Sequence, residues 1–254
     1  MKLDRRNQII DMITRQRTVK NSELMERFDI SIETVRRDLE YLEQQGFLRR
    51  VYGGAVLNQS LNGEPEYSSR AKVQSRQKTA IAAEAAKLVQ NGDSIYMGVG
   101  TTVQAMARHL KNTENLTVFT NALRTAVELS DFQNCNVILP GGKLRPKELT
   151  LSGFPAEENL AHFNVDKAFI GIGGITDSAI TDFHIDEAQI HRRLIRNARL
   201  SVVLADSSKL GVRGIVNLCR PEDVDILVTD NGVDRNTVKE LEQTGIKVII
   251  AKDE

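Results

Sequence analysis

Four short runs in the second half of the chain combine glycine, hydroxyl and lysine residues of the kind that hold small anions. They are Gly98-Val99-Gly100-Thr101-Thr102, Thr120-Asn121, Gly141-Gly142-Lys143 and Asp206-Ser207-Ser208-Lys209. Glycines let a backbone approach a ligand closely. Threonines and the free N–H groups of a helix start form an anion nest, and Lys209 adds a positive charge for a phosphate or carboxylate. Each run has an ordinary explanation when taken alone: a tight turn, a helix cap, a solvated lysine. Four such runs at the ends of apolar strands point instead to a small anionic ligand. A second chemistry lies near the N-terminus, where Thr34, Arg36 and Arg37 are followed by Arg49 and Arg50. Such donors suit phosphates and base edges.

The elements that must position these arginines are short. Arg5 to Gln16 reads as a first helix with Ile9, Ile10 and Ile13 inward, and Thr18-Val19 as an extended piece leading to the next helix. Ser22 to Phe28 is a second helix, with Asn21 or Ser22 as its cap and Leu24 and Phe28 on one face. Asp29-Ile30 makes the turn. Ser31 caps a third helix from Ile32 to Gln45, which Gly46 stops. Ile32, Val35, Leu39 and Leu42 follow the 3.6-residue period and face inward. At ~100° per residue Arg37 points away from that stripe, with Thr34 and Arg36 beside the first turn. This is the layout of a recognition helix. Phe47 to Tyr52 then reads as a strand turning at Gly53-Gly54, a wing with Arg49 and Arg50 placed for phosphates. The competing reading is a helical hairpin with a solvated arginine face, and Glu33 and Glu40 on that face repel phosphate. Caps, stripe, arginine pair and glycine wing in one run favour the DNA-reading layout.

Residues 58–74 lack any period and hold Asn58, Ser60, Asn62, Gly63, Pro65, Ser68 and Ser69, so they read as a linker. From Ser75 onward helices alternate with apolar strands. The strands are Ser94–Val99, Leu116–Thr120, Asn136–Leu139, Val165–Ile172, Leu200–Ala205, Ile226–Thr229 and Val248–Ile250. The helices between them include Lys78–Gln90, Thr102–Leu110, Ala122–Ser130, Ile185–Ala198 and Asp234–Gln243. This alternation predicts an α/β fold with a doubly wound, mostly parallel sheet. Ligands of such sheets bind outside the carboxyl ends of the strands, where the four polar runs fall.

Composition limits the alternatives. The 254 residues carry zero formal net charge, and residues 1–57 hold 11 Lys/Arg against 9 Asp/Glu. Bulk charge therefore drives no nucleic-acid binding; placed arginines, doubled by dimerisation, must do so. Cys135 and Cys219 lie in separate apolar strands with no metal-ligand spacing, and are expected as buried thiols. No long apolar segment follows the N-terminus, so the expected location is the cytoplasm.

The run Ser31-x-x-Thr34-Val35-Arg36-Arg37-Asp38-Leu39, with Leu42-Glu43, Gly46, Arg50 and Gly53-Gly54-Ala55, resembles the N-terminal signature of the DeoR family of bacterial repressors. Glu64 to Arg70 resembles the family's interdomain stretch. The four polar runs, Asp166 to Gly174 and Glu187-Ala188 are similar to its C-terminal sensor domain, so the resemblance covers nearly the whole chain. It implies a winged helix-turn-helix at 1–57, a linker at 58–74 and an effector-sensing, oligomerising domain at 75–254. Ser31, Thr34, Arg36, Arg37, Arg49, Arg50 and Gly53 are the implied DNA-contacting residues. Gly98, Gly100, Thr101, Thr102, Asn121, Gly142, Gly173, Glu187, Asp206 and Lys209 are the implied effector residues. Thr181 to His184 either lines the specificity side of the pocket or forms a surface loop. The expected protein is a repressor of a carbohydrate-utilisation operon, a homodimer or homotetramer on double-stranded operator DNA. A phosphorylated sugar or sugar alcohol releases it, and no cofactor or metal is implied.

The alternative is a sugar-phosphate isomerase, since the family's sensor domain is related to ribose-5-phosphate isomerases. Those enzymes carry an Asp-Gly-Ala-Asp motif where this chain has Ile170-Gly171-Ile172-Gly173. Glu187 and Lys209 match the base and lysine positions, but Ile170 and Gly173 replace both carboxylates. Proton transfer between carbons needs such groups, so the reading is a pocket without turnover.

Overall fold

The computed structural model describes residues 2–44, 47–57, 64 and 66–252. The expected helix end at Gln45, the Gly46 stop and the linker residues Asn58, Ser60, Asn62, Gly63 and Pro65 lie outside these. Contacts divide the chain into two compact units, residues 1–74 and 75–254.

In the first unit the order is α1 (Lys2–Gln16), β1 (Thr18–Lys20), α2 (Asn21–Phe28), α3 (Ile32–Gln44), β2 (Leu48–Val51), β3 (Gly54–Leu57) and α4 (Tyr67–Arg70). The three strands form an antiparallel sheet in the order β1-β3-β2. Ile9, Ile10 and Ile13 of α1 meet Leu24, Val35, Leu39, Leu42 and Leu48 in one buried cluster. Ile32 is only half-buried, because it sits in the first turn of α3 at the edge of that cluster. The cap expected at Asn21 or Ser22 is replaced: Lys20 occupies the N-cap without a side-chain bond, and Asn21 is the first helical residue. The Asn21 N–H donates instead to the Gly53 carbonyl at 2.8 Å, so the wing turn satisfies the start of α2. Asp29 ends α2 at φ 48°, a left-handed position that aspartate tolerates. Ser31 does cap α3, its Oγ accepting from the Thr34 N–H at 3.4 Å. The stretch expected to be a featureless linker contains α4, a single helical turn.

One polar residue interrupts the buried face of α3. Asp38 is 1 % exposed. Its two oxygens accept from Arg5 Nε and Arg6 Nε, each at 2.7 Å. The Arg6 guanidinium also lies 3.7 Å over the Tyr41 ring. A buried carboxylate survives only when paired, and here the pairing ties α1 to α3.

The second unit runs α5 (Ser75–Ala86), β4 (Ser94–Met97), α6 (Thr101–Ala107), β5 (Leu116–Thr120), α7 (Leu123–Ser130), β6 (Cys135–Ile138), β7 (Lys143–Arg145), β8 (Thr150–Ser152) and α8 (Phe154–Ala161). It continues with β9 (Val165–Gly171), β10 (Gly174–Ile175), β11 (Ile180–Asp182), α9 (Ile185–Asn197), β12 (Ala198–Leu204), β13 (Val216–Cys219), β14 (Ile226–Asp230), α10 (Arg235–Gln243) and β15 (Lys247–Ala251). Seven strands form one sheet in the order β15-β14-β12-β9-β4-β5-β6. Every neighbouring pair in it is parallel. Both faces are covered, which explains the continuous apolar runs. Ile95, Met97 and Phe169 pack with α5 and α6 residues such as Ile81 and Val103. Tyr96, Ala168 and Ile170 pack on the other face with α8 and α9 residues such as Leu160 and Leu194.

The structure adds a β7-β8 hairpin, helix α8 and a small antiparallel sheet, β10-β11-β13, none of them read from the sequence. Their strands are two to four residues long, too short to show a period. Cys135 and Cys219 are free, as expected, but half-buried rather than fully buried. Partial burial still raises both thiols, Cys219 to about 12.

Replacing Asp38 by Ala leaves two arginines facing an apolar helix junction. It should destabilise the first unit by ~3 kcal/mol, the order found for breaking a buried ion pair. Amide exchange in α3 should speed up accordingly, while exchange in β4 and β9 stays unchanged. Undiminished protection in α3 would show that the clamp contributes nothing.

Candidate functional site: a DNA-reading face and a strand-end crevice

The outward side of α3 carries Arg36 and Arg37, both exposed, with Thr34 half-exposed beside them. The Ser31 and Thr34 hydroxyls lie 3.2 Å apart at the helix start. Ser31 is thus occupied as a cap. Thr34, Arg36 and Arg37 are available at the N-terminal end of α3, where a recognition helix meets base edges.

The two wing arginines differ. Side chains alternate along a strand, so Arg50 shares the face of Leu48, which is buried, while Arg49 faces the other way. Arg50 folds back on α3: its N–H donates to Glu43 Oε1 at 2.7 Å and its Nε to Oε2 at 2.8 Å. Arg50 is thus bonded to Glu43 through its backbone N–H and its Nε, with its side chain 42 % exposed, whereas the Arg49 side chain makes no hydrogen bond or ion pair among the described residues. Gly53 takes φ 84° in the turn, a conformation that favours glycine.

In the second unit the strand order reverses between β9 and β4: the chain moves outward through β5 and β6, then returns to β9 and runs outward the other way. In open α/β sheets such a switch point, outside the carboxyl ends of the strands, is where ligands bind. The Gly98–Thr102 run leaves β4 here. A Cβ on Gly98 would lie 2.8 Å from His191 Nε2, and one on Gly171, at the end of β9, 2.5 Å from the Val99 carbonyl oxygen. Gly100 stands at φ 139° as the N-cap of α6, and no side chain caps that helix. Its first N–H groups are thus left to solvent or a ligand. Thr101 is half-exposed and Thr102 is 6 % exposed.

Asp206-Ser207-Ser208-Lys209 follows β12, two strands from β4 and so about 10 Å away. Asp206 holds this loop, accepting from the Ser208 N–H at 3.2 Å and facing Lys78 Nζ at 3.9 Å. Lys209 is half-exposed, and its ammonium makes no ion pair among the described residues.

Other expected effector residues are engaged by the protein. Asn121 accepts from the Tyr96 hydroxyl at 2.7 Å and donates to the Leu151 carbonyl at 3.0 Å. Glu187 is 3 % exposed and accepts from Arg145 at 3.0 Å and Thr150 at 2.7 Å. Both bonds come from the β7-β8 hairpin, which they anchor over α9. Burial, and then the Glu187 charge, push the Tyr96 hydroxyl well above its ordinary value. Gly142 packs against Ser152 and Ala156, and Gly173 against Phe183 and Asp182. Asp182 is 7 % exposed, so the Thr181–His184 stretch is no plain surface loop; its Oδ2 lies 3.5 Å from His191 Nδ1.

Sequence reasoning missed His191, Lys78 and Arg145. His191 lies four residues after Glu187 on α9, one helical turn away, and that spacing was the available signal. Nothing local marks Lys78 or Arg145. A separate cavity of about 560 Å³, lined by Arg192, Arg213, Arg220, Glu222 and Asp223 among others, shares no residue with the crevice. Among the described residues no group of His, Cys, Asp or Glu could hold a metal, and no helix is long and apolar enough to cross a membrane.

A capped helix-turn-helix with a wing, on one chain with a parallel α/β unit and a strand-end crevice, is the build of a transcription regulator with a ligand-sensing unit. The DeoR-like helix-turn-helix domain matches residues 5–61, and the DeoR C terminal sensor domain matches residues 73–231. The chain belongs to the DeoR family of transcriptional regulators. It is 37 % identical over 246 residues to the uncharacterized HTH-type transcriptional regulator YulB of Bacillus subtilis, covering 96 % of this chain and 95 % of that one. It is 34 % identical over 227 residues to the glycerol-3-phosphate regulon repressor of Escherichia coli, covering 89 % of this chain and 90 % of that one. A ribose 5-phosphate isomerase A from Methanocaldococcus jannaschii is a distant structural neighbour, 21 % identical with a TM-score of 0.40, covering 54 % of this chain and 55 % of that one. The relatives are regulators and repressors, and this chain is a regulator rather than an enzyme.

The Glu43–Arg50 bond has a pH signature. Hydrogen bonds from the Arg50 N–H and then its side chain hold the Glu43 carboxyl below its ordinary 4.5. A carboxyl depressed in the fold stabilises above its unfolded value and loses that contribution as pH falls through the folded value. The latch should therefore hold at pH 4.5 and above and release below it. A carbon NMR titration of Glu43 should give a midpoint under 4.5, rising in Arg50→Gln. A wild-type midpoint at the ordinary value would show that no latch forms.

Proposed function

We propose that the protein is a cytoplasmic repressor of a carbohydrate-utilisation operon, released from its operator by a phosphorylated sugar or sugar alcohol. The observation that carries this reading is the pairing of exposed Arg36 and Arg37 on a capped α3 with a second unit whose strand-end crevice offers uncapped N–H groups and the unpaired Lys209. The name of the glycerol-3-phosphate regulon repressor supports a phosphorylated effector. A phosphate suits donors without acceptors. The engaged carboxylates Glu187 and Asp206 then shape the pocket, and the hydroxyls of the ligand meet its rim. The reading includes a homodimer or homotetramer, because a first unit with a small charge excess needs two heads on paired half-sites.

Arg37→Ala should weaken operator binding by ~1–3 kcal/mol and relax the preference at one base pair, the mark of a lost base contact. Unchanged affinity and preference would remove Arg37 from the reading face.

Induction requires the effector to bind the DNA-free form more tightly than the DNA-bound form. Linkage then makes operator DNA weaken effector binding by the same factor, about 5–150-fold. Lys209→Ala should keep operator affinity without ligand and lose release by the sugar phosphate. Fluorescence anisotropy of labelled operator, with a panel of phosphorylated sugars and sugar alcohols, measures both. A normal ligand response in the variant would take Lys209 out of the site, and a panel without effect on wild type would sink the effector class.

A further inference from the structure

The cavity of about 560 Å³ that stands apart from the crevice is bounded by α9, β13, the turn between β10 and β11, and the turn at 220–223. A volume of that order suits a small molecule. Its charged lining is Arg192, Arg213, Arg220, Glu222 and Asp223, one guanidinium more than carboxylates. Three of the five are engaged with one another. Glu222 Oε1 accepts from Arg220 Nη1 at 3.2 Å, and Asp223 Oδ2 accepts from the Arg220 backbone N–H at 2.8 Å. Arg192 and Arg213 remain, and neither makes an ion pair among the described residues.

Both are set in place by the fold. Arg192 Nε donates to the Leu218 carbonyl at 2.9 Å and its Nη2 to the Asn217 carbonyl at 2.7 Å. Two bonds to successive residues of β13 fix the plane of this half-buried guanidinium, so ordering it costs nothing further when a ligand arrives. Its Nη1 has no hydrogen-bond partner among the described residues. Arg213 is exposed and makes no hydrogen bond, but its backbone is pinned on either side. The Gly211 N–H donates to the Ile175 carbonyl at 2.8 Å, and the Gly214 N–H to Thr181 Oγ1 at 2.8 Å. A fixed guanidinium and an uncommitted one lining a single cavity form a receptor for an oxyanion. A phosphoryl group brings three acceptor oxygens to the two forks, where a carboxylate brings two.

We propose that this cavity is a second anion site, which takes the phosphoryl group of a small metabolite between Arg192 Nη1 and the Arg213 guanidinium. It shares no residue with the strand-end crevice, so it stands independently of the effector reading given above.

The test titrates inorganic phosphate into the full-length protein at constant ionic strength, balanced with sodium chloride, and follows backbone amides by NMR. Saturable shifts are expected at residues 178–179 and 213–219. Arg213→Gln should raise the half-saturation concentration of these shifts about tenfold, the order for a lost hydrogen bond to a charged group. It should leave the response of residues 98–102 unchanged. Its side chain is exposed and unbonded, so the substitution does not disturb the fold. Arg213→Lys, which keeps the charge and loses the fork, should fall between the two. Lys209→Ala should show the reverse pattern, weakening the response at 98–102 and sparing that at 213–219. Shifts at 213–219 that never saturate, that chloride reproduces, or that Arg213→Gln leaves unaltered would overturn the site. So would a change of oligomeric state in Arg213→Gln with no phosphate response in wild type, since the arginines would then serve a second copy of the chain. Saturable shifts at the cavity with none at the crevice would support the second site and tell against the effector reading instead.

Discussion

The direction of seven strands is the constraint on which the second unit depends. Because all of them run parallel, their carboxyl ends lie along one edge of the sheet, and every loop that leaves a strand gathers there. The reversal between β9 and β4 then parts the loops at one place. Gly98 and Gly171 allow the two central strand ends to close to contact, and any side chain on either would strike His191 or the Val99 carbonyl. The glycines are thus demanded by the sheet as much as by a ligand.

That crowding also decides which polar groups remain for binding. Asn121, Glu187 and Asp206 satisfy Tyr96, the β7-β8 hairpin and the Ser208 turn. Buried acceptors with those partners are costly to disturb. What is left over is donor chemistry: the uncapped start of α6 and the Lys209 ammonium.

The first unit obeys a related rule at smaller scale. It has few residues with which to build a core, so it uses charge for orientation: Asp38 ties α1 to α3, and Glu43 ties the wing to α3. Both carboxylates lie on α3 and both are paired with arginine. Its net charge therefore says little about DNA affinity, because several of its arginines are already occupied. The exposed Arg36, Arg37 and Arg49 define the surface on offer.

The division of labour between sequence and structure follows from the range of the forces involved. Periodicity and caps act within a few residues, so the three helices of the reader, the wing and the alternating strands of the α/β unit were legible in the chain. The motif-level resemblance added the family. The pairing of Asp38 with Arg5 and Arg6, and of Glu187 with Arg145 and Thr150, joins residues 32 to 42 positions apart along the chain, and Arg50 and Glu43, though seven apart, belong to different elements. No local pattern specifies such partners. A sequence determines that an arginine or carboxylate is present, and only the folded chain decides whether its charge is spent on the fold or left for a ligand, because that depends on which distant groups the packing brings within hydrogen-bond reach.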